Sequence, residues 1–210
     1  MRAYFNALSA AVFALVGSLG CATRVDQPLQ PELWLFQEHQ LALLQQTPGE
    51  ITAVDAKTGA VRWKYTPEAA PRTPFGVHPT PAAQCPPLVS PAGTVVLRYD
   101  HDLRVLSLAS GAKRWEMYFR DYLYCPTVTP DSGVVLVTQW GEALEKLDVD
   151  GKRVWVFDLR FAGLAVGAPQ AIPSSGDVLI QTVAHLVSVN PQGKLGWSLP
   201  ISHSRDRGAK

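Results

Sequence analysis

The chain has 210 residues, of which 47% are hydrophobic and 18% are charged, and its formal net charge is +1. This length and hydrophobic fraction are ordinary for one globular domain. The balanced charge excludes the strongly basic surface with which proteins bind nucleic acid or an anionic membrane surface, so neither is expected as an electrostatic partner.

The first residues predict an export signal over residues 1–20. Arg2 precedes an apolar run at 7–19, which is too short and too weakly flanked for a stable membrane span. The end of this segment resembles a bacterial lipoprotein signal, which implies that Cys21 is lipidated and becomes the N-terminus. The match is imperfect because Ser18 occupies the usual leucine position. Ordinary cleavage also fits, and either route takes the mature protein out of the cytoplasm.

The next elements are a short tether at 21–31 and then the first repeated unit. The stretches 33–36 and 39–45 are apolar enough to be strands. They lead into a predicted hairpin, in which a strand is followed by a tight turn at Gly59 and a second strand that carries Trp63. Glycine suits the turn because it takes positive φ without a Cβ clash.

A proline-rich stretch follows at 67–85. Because proline fixes φ and cannot donate a backbone hydrogen bond, this stretch is predicted to be an extended loop. A loop this long in a compact domain is usually functional or disordered. Two interpretations stay open, a mobile insertion and a loop that binds a partner or covers a channel.

The Gly–Trp hairpin then returns three times with the same spacing, at Gly111 and Trp115, Gly151 and Trp155, and Gly193 and Trp197. A second glycine turn precedes each copy in nearly constant register, which predicts a repeat protein. Each unit divides into four short strands. Continuous apolar second strands, such as the one predicted at 134–140 in the third unit, indicate sheets packed on both faces. Each tryptophan is expected to dock against the neighbouring unit. The predicted units cover residues 32–66, 86–119, 125–159 and 168–199, followed by a flexible tail at 201–210.

Five residues of the first hairpin match the pattern Ala-x-Asp-x-x-Thr-Gly-x-x-x-Trp, namely Ala53, Asp55, Thr58, Gly59 and Trp63. The chain therefore resembles the PQQ-like, or quinoprotein-type, β-propeller repeat. The resemblance implies an all-β fold of about four four-stranded antiparallel blades over residues 32–200. Because rings of this repeat normally hold about seven or eight blades, four blades imply an open half-ring arc.

An open arc would leave the outer faces of its first and last blades uncovered. The last blade is expected to expose its apolar second and third strands, including Leu179, Ile180, Leu186 and Val189. A homodimer of two half-rings would cover both ends at once. Closure of the four blades on themselves is the alternative.

Cys85 and Cys125 occupy corresponding positions in consecutive units, each directly before a proline. In an oxidising compartment this favours a disulfide between neighbouring blades. The alternative is a pair of small buried residues too far apart to bond, since bonded cysteines need Cα atoms within about 7 Å.

No catalytic, cofactor-binding or metal-binding residue is predicted. The segment 148–151 resembles the opening of a calcium loop but lacks the later ligands, and it coincides with the hairpin turn of its unit. The acidic segment 100–102 also falls in a hairpin, where polar residues are the default. Both are predicted to be structural turns.

The family analogue for function is the outer-membrane lipoprotein of the β-barrel assembly machinery. The resemblance implies a non-enzymatic, lipid-anchored scaffold that faces the periplasm and binds other envelope proteins. Quinoprotein dehydrogenases share the repeat but use a full ring and a calcium set, which this sequence does not show. The alternative is a truncated or remnant domain of such an enzyme.

Overall fold

The computed structural model describes residues 32–45, 50–68, 85–99, 101–119 and 124–201. Several predicted segments lie outside the described residues: the export signal at 1–20, the tether at 21–31 with Cys21, most of the proline-rich loop at 67–85, and the tail after residue 201.

The described residues form four antiparallel sheets, each of four strands that pair in chain order. The first sheet contains β1 (Glu32–Phe36), β2 (Leu41–Gln45), β3 (Ile51–Asp55) and β4 (Val61–Tyr65). The second contains β5 (Leu88–Val89), β6 (Thr94–Tyr99), β7 (Asp102–Ser107) and β8 (Lys113–Tyr118). The third contains β9 (Thr127–Val128), β10 (Val134–Thr138), β11 (Ala143–Leu147) and β12 (Arg153–Asp158). The fourth contains β13 (Gln170–Ala171), β14 (Val178–Gln181), β15 (His185–Val189) and β16 (Leu195–Pro200).

The second strands of the middle sheets are buried along their whole length, as their continuous apolar sequences predict. Successive side chains on such a strand point to opposite faces, so one strand contributes to two layers of core. Val95 and Leu97 on β6 pack towards the first sheet, whereas Val96 packs towards the third. Each of the two middle sheets thus packs against both of its neighbours.

The hydrophobic clusters join consecutive sheets only. One cluster lies between the first and second sheets, another between the second and third, and another between the third and fourth. Within the described ranges no cluster joins the fourth sheet to the first. The predicted fold class is confirmed: the sheets are blades of a β-propeller, and they form an open arc.

The strand order places the connections on two rims. In each blade, the turn between the first and second strands and the turn between the third and fourth strands lie on one rim, here called the hairpin rim. The turn between the second and third strands of each blade lies on the opposite rim, here called the crossover rim. The connections from one blade to the next lie on the same rim.

Two expectations about individual residues are wrong. Trp140 does not extend the second strand of its blade, because β10 ends at Thr138 and Gln139–Gly141 form a 3-10 turn. Ile180 and Val189 are not uncovered, because both are fully buried against the third blade. Strand alternation places their neighbours on the outer face instead.

Candidate interaction surfaces

The repeated tryptophans form the joints between blades. The indole Nε1 of Trp63 donates a hydrogen bond to the Leu108 carbonyl of the next blade, at 2.8 Å. The same ring lies flat against Gly111, where an added Cβ would be 2.6 Å from the ring. Such contact is possible only with glycine at that position.

Two further joints repeat this contact. Trp115 Nε1 donates to the Val149 carbonyl at 2.9 Å, and Trp155 Nε1 donates to the Pro191 carbonyl at 3.0 Å. Their rings lie against Gly151 and Gly193, where a Cβ would be within 2.8 Å and 2.5 Å respectively. The sequence predicts these glycines only as turn residues. Their second role, making room for the previous blade's tryptophan, is visible only between blades.

The two ends of the arc hold the same parts without partners among the described residues. Trp197 of the last blade is 46% exposed, whereas Trp63 is 7% exposed. At Gly59 of the first blade, a Cβ would meet nothing within 4 Å. One end therefore presents an undocked tryptophan, and the other presents an empty glycine turn.

Cys85 and Cys125 lie at the starts of the second and third blades, on the crossover rim. The structure joins them in a disulfide with Cα atoms 5.6 Å apart. The buried guanidinium of Arg98 donates to Cys85 Sγ at 3.6 Å. We propose that the protein carries this bridge as a covalent link between its second and third blades.

Exposed apolar side chains gather on the crossover rim around the third and fourth blades. We call this group the apolar rim patch: Trp140, Phe161, Leu164, Val166 and Val183. Backbone hydrogen bonds hold its segments together, because Val183 N donates to the Leu164 carbonyl at 2.9 Å and Val166 N donates to the Gln181 carbonyl at 3.0 Å. A clustered, exposed apolar surface of this kind marks an interaction site.

The turn that carries Trp140 has an unusual backbone. Gln139, Trp140 and Gly141 all have positive φ, at 53°, 57° and 97°. Non-glycine residues rarely adopt this conformation, and it persists where surrounding contacts hold it. Here Ala165 N donates to the Gly141 carbonyl at 2.8 Å, and Trp140 is left 68% exposed. Sequence reasoning missed this site, although the tryptophan followed by glycine could have indicated the turn.

A buried ionic cluster lies between the first and second blades. Arg104 forms ion pairs with Asp102 at 3.1 Å and Glu116 at 2.9 Å, and its guanidinium lies 4.9 Å from the Tyr99 ring centre. Burial raises the pKa of Asp102, against the opposing effect of Arg104. Tyr65 of the first blade completes the cluster, accepting a bond from Arg104 at 3.5 Å. Because these groups face one another, the cluster acts as a structural joint.

The acidic segment 148–151 is a turn, as predicted. Asp148 Oδ1 accepts hydrogen bonds from the backbone N–H groups of Asp150 and Lys152 at 2.9 and 2.8 Å. Within the part of the chain that the structure describes, no group of three or more His, Cys, Asp or Glu side chains could hold a metal ion. The described residues also contain no helix long and apolar enough to cross a membrane.

Comparison with known proteins identifies the family. The family model of the outer membrane protein assembly factor BamB matches residues 49–210. A crystal structure of BamB from Moraxella catarrhalis has the same fold, with a TM-score of 0.57 and 19% identity, covering 79% of this chain and 51% of that chain. This chain thus spans about half the length of that BamB, and no curated protein matches it. The chain belongs to the family of the outer membrane protein assembly factor BamB.

Proposed function

We propose that this protein is a non-enzymatic scaffold of the bacterial cell envelope that faces the periplasm and binds other envelope proteins. The observation that carries the proposal is the apolar rim patch. Its exposed aromatic and aliphatic side chains have the composition of the buried centre of a protein interface. The matching family, named for outer membrane protein assembly, supports the same setting.

Trp140 is the expected anchor of this interface. Tryptophan is enriched among the residues that contribute most to binding, because it buries a large area and loses little conformational freedom. The hydrogen bond from Ala165 N to the Gly141 carbonyl holds its positive-φ turn in place. Phe161 and Leu164 lie on the same rim and are also exposed.

Photo-crosslinking in living cells tests the scaffold proposal with two similarly exposed valines. Val183 lies in the apolar rim patch and is 49% exposed, whereas Val154 on the outer strand β12 is 54% exposed. A crosslinker at position 183 should give a discrete adduct with another envelope protein, and one at 154 should not. Leu164→Asp should abolish the adduct at 183. Absence of any discrete adduct at 183, or equal adducts at both positions, would contradict the proposal.

We also propose that Cys21 carries the lipid that holds the scaffold at the membrane. Several acyl chains, at about 0.8 kcal/mol per buried methylene, would anchor it firmly. Cys21→Ser should release the protein from the membrane fraction. A mature protein that begins at Thr23 in an intact-mass measurement would rule out lipidation.

The competing function is a remnant quinoprotein domain. Under our proposal, pyrroloquinoline quinone with calcium should neither raise the melting temperature nor produce dye-reducing activity. A ligand that binds only the native state stabilises it by about 2.7 kcal/mol at about a hundredfold excess over its dissociation constant. A saturable rise in melting temperature would favour the enzyme instead. A second copy of the chain is a further partner that we propose, at a different surface.

A further inference from the structure

We propose that the two ends of the arc are the complementary halves of one joint, and that two copies of the chain pair head to tail through them. In this arrangement Trp197 of each copy docks on the Gly59 turn of the other. The surface is separate from the apolar rim patch, so this inference does not rest on the proposed scaffold function.

The outer face of the last blade carries apolar residues at positions that a following blade would cover. We call it the tryptophan face: Leu179, Leu186, Trp197 and Leu199, which the strand register places on one side of the sheet. The positions equivalent to Leu186 in the other blades are Ile51, Leu103 and Leu144, and all of them are fully buried. Leu186 itself is only half-buried. The sequence therefore keeps apolar residues where a following blade would contact them.

The outer face of the first blade has the same property. We call it the glycine face: Leu33, Leu35, Leu44, Val54 and the turn at Gly59, with both β1 leucines exposed. The residues equivalent to Leu44 and Val54 in the second blade are Leu97 and Leu106, which are fully buried against the first blade.

The Gly59 turn already has the geometry that receives a tryptophan. Gly59 N donates to the Asp55 carbonyl at 2.8 Å, and Gly111 N donates to the Ser107 carbonyl at the same distance. Their φ angles are 74° and 69°. The Ala56 carbonyl thus occupies the place of the Leu108 carbonyl, which accepts the indole N–H of Trp63 in the first internal joint.

A second copy is the occupant that fits both faces. The tryptophan face and the glycine face are unlike, and each copy carries one of each. In a pair, Trp197 of each copy therefore meets the Gly59 turn of the other. The extent of the arc agrees, because its match covers 51% of the related BamB chain, so two such arcs correspond to about the whole of that fold. A head-to-tail contact closes into a ring when the rotation between copies completes a full circle. Two arcs that each span half a circle meet this condition.

The first experiment measures the mass in solution of the full chain carrying Cys21→Ser, which excludes association through lipid. Sedimentation should show a species of twice the chain mass that does not grow further. Trp197→Asp should weaken the pairing by at least about thirtyfold, as expected for a central tryptophan of an interface. Trp140→Asp is the matched control, because it changes the other exposed tryptophan and should leave the pairing intact. A monomer, or pairing unaffected by Trp197→Asp, overturns the proposal.

The second experiment tests the head-to-tail geometry. Gly59→Asn should preserve the turn, since asparagine tolerates positive φ, but its side chain should block the incoming indole. Trp197→Asp alone and Gly59→Asn alone should each be monomeric. Their mixture should associate, because one copy then keeps an intact tryptophan face and the other an intact glycine face.

The mixing result separates this joint from other contacts. A face-to-face contact between two tryptophan faces would not be restored by mixing Trp197→Asp with Gly59→Asn. Failure of the mixture to associate therefore overturns the head-to-tail joint, and growth of the unmodified chain beyond two copies overturns the closed ring. Crosslinking at Val183 reports on the apolar rim patch, so the failure of either proposal can be recognised separately.

Discussion

The internal joints and the two ends of the arc use the same residues in opposite environments. Trp63 and Trp197 occupy the same repeat position, yet their exposed fractions are 7% and 46%. Gly111 lies under an indole ring, whereas the equivalent Gly59 faces open space. The comparison shows that the repeat encodes the parts of a joint, while the neighbouring blade decides whether the joint is made.

The largest expected difference is between two tryptophan truncations. Trp63→Ala should lower the free energy of unfolding by about 3–5 kcal/mol, because it opens a cavity and leaves the Leu108 carbonyl without its donor. Trp197→Ala should cost about 1 kcal/mol or less in the separated copies, since its ring is already half solvated. Urea unfolding at concentrations too low for pairing makes the measurement. Equal losses of unfolding free energy would show that Trp63 and Trp197 lie in equivalent environments.

The proposed disulfide would add a covalent tie to one internal joint. Cys85 and Cys125 are 40 residues apart, and a loop of that length is worth about 4 kcal/mol on the chain-entropy model. Cys85→Ser with Cys125→Ser should lower the free energy of unfolding by up to that amount. Free-thiol titration of the denatured, unreduced protein checks the pairing. Two reactive thiols at these positions would contradict the bridge and remove the expected loss.

A matched pair of glycine substitutions separates turn strain from close packing. Gly59→Ala and Gly111→Ala both place a side chain at positive φ, which costs roughly 1–2 kcal/mol. Gly111→Ala also forces a Cβ against Trp63, which adds about 1–3 kcal/mol. The difference between their unfolding free energies in the separated copies therefore measures the packing of one joint. No difference would mean that Trp63 moves aside without loss.

The smallest expected effect concerns the polar third joint. Asp131 pairs with the buried Lys146 at 2.7 Å, beside a cavity of about 210 Å³ between the third and fourth blades. Burial acts to raise the pKa of Asp131, but the bonds from Lys146 and Thr129 outweigh it and lower that pKa overall. A lowered carboxyl pKa stabilises the fold above the unfolded value of about 3.9. That contribution is lost as the pH falls through the folded value.

Asp131→Asn is the variant that tests this pair. It should reduce the free energy of unfolding by about 1 kcal/mol or less at pH 7, because the Asp131 side chain is 65% exposed and solvent screens the pair. The gap between the two proteins should shrink as the pH falls below about 4. A gap that stays constant down to pH 3 would show that the ion pair is not its source.

Much of the fold could be predicted because its signals are local and repeated. The spacing from Gly111 to Trp115 recurs in every unit, and the apolar run at Val134–Thr138 indicates a strand buried on both faces. The candidate site was less predictable. Trp140 looked like a continuation of that run, and only the contact between Gly141 and Ala165 shows that the chain turns there and presents the indole to solvent.

The sequence alone determined the four-stranded repeat, the Gly–Trp hairpins and the aligned cysteines, because hydrophobic alternation and turn chemistry act over a few neighbouring residues. Only the tertiary structure decided which face of each strand is covered. Leu179 and Ile180 are adjacent and equally apolar, yet Ile180 is buried against the third blade while Leu179 lies on the outer face. Burial depends on which blade lies alongside, and that contact joins residues about 40 positions apart.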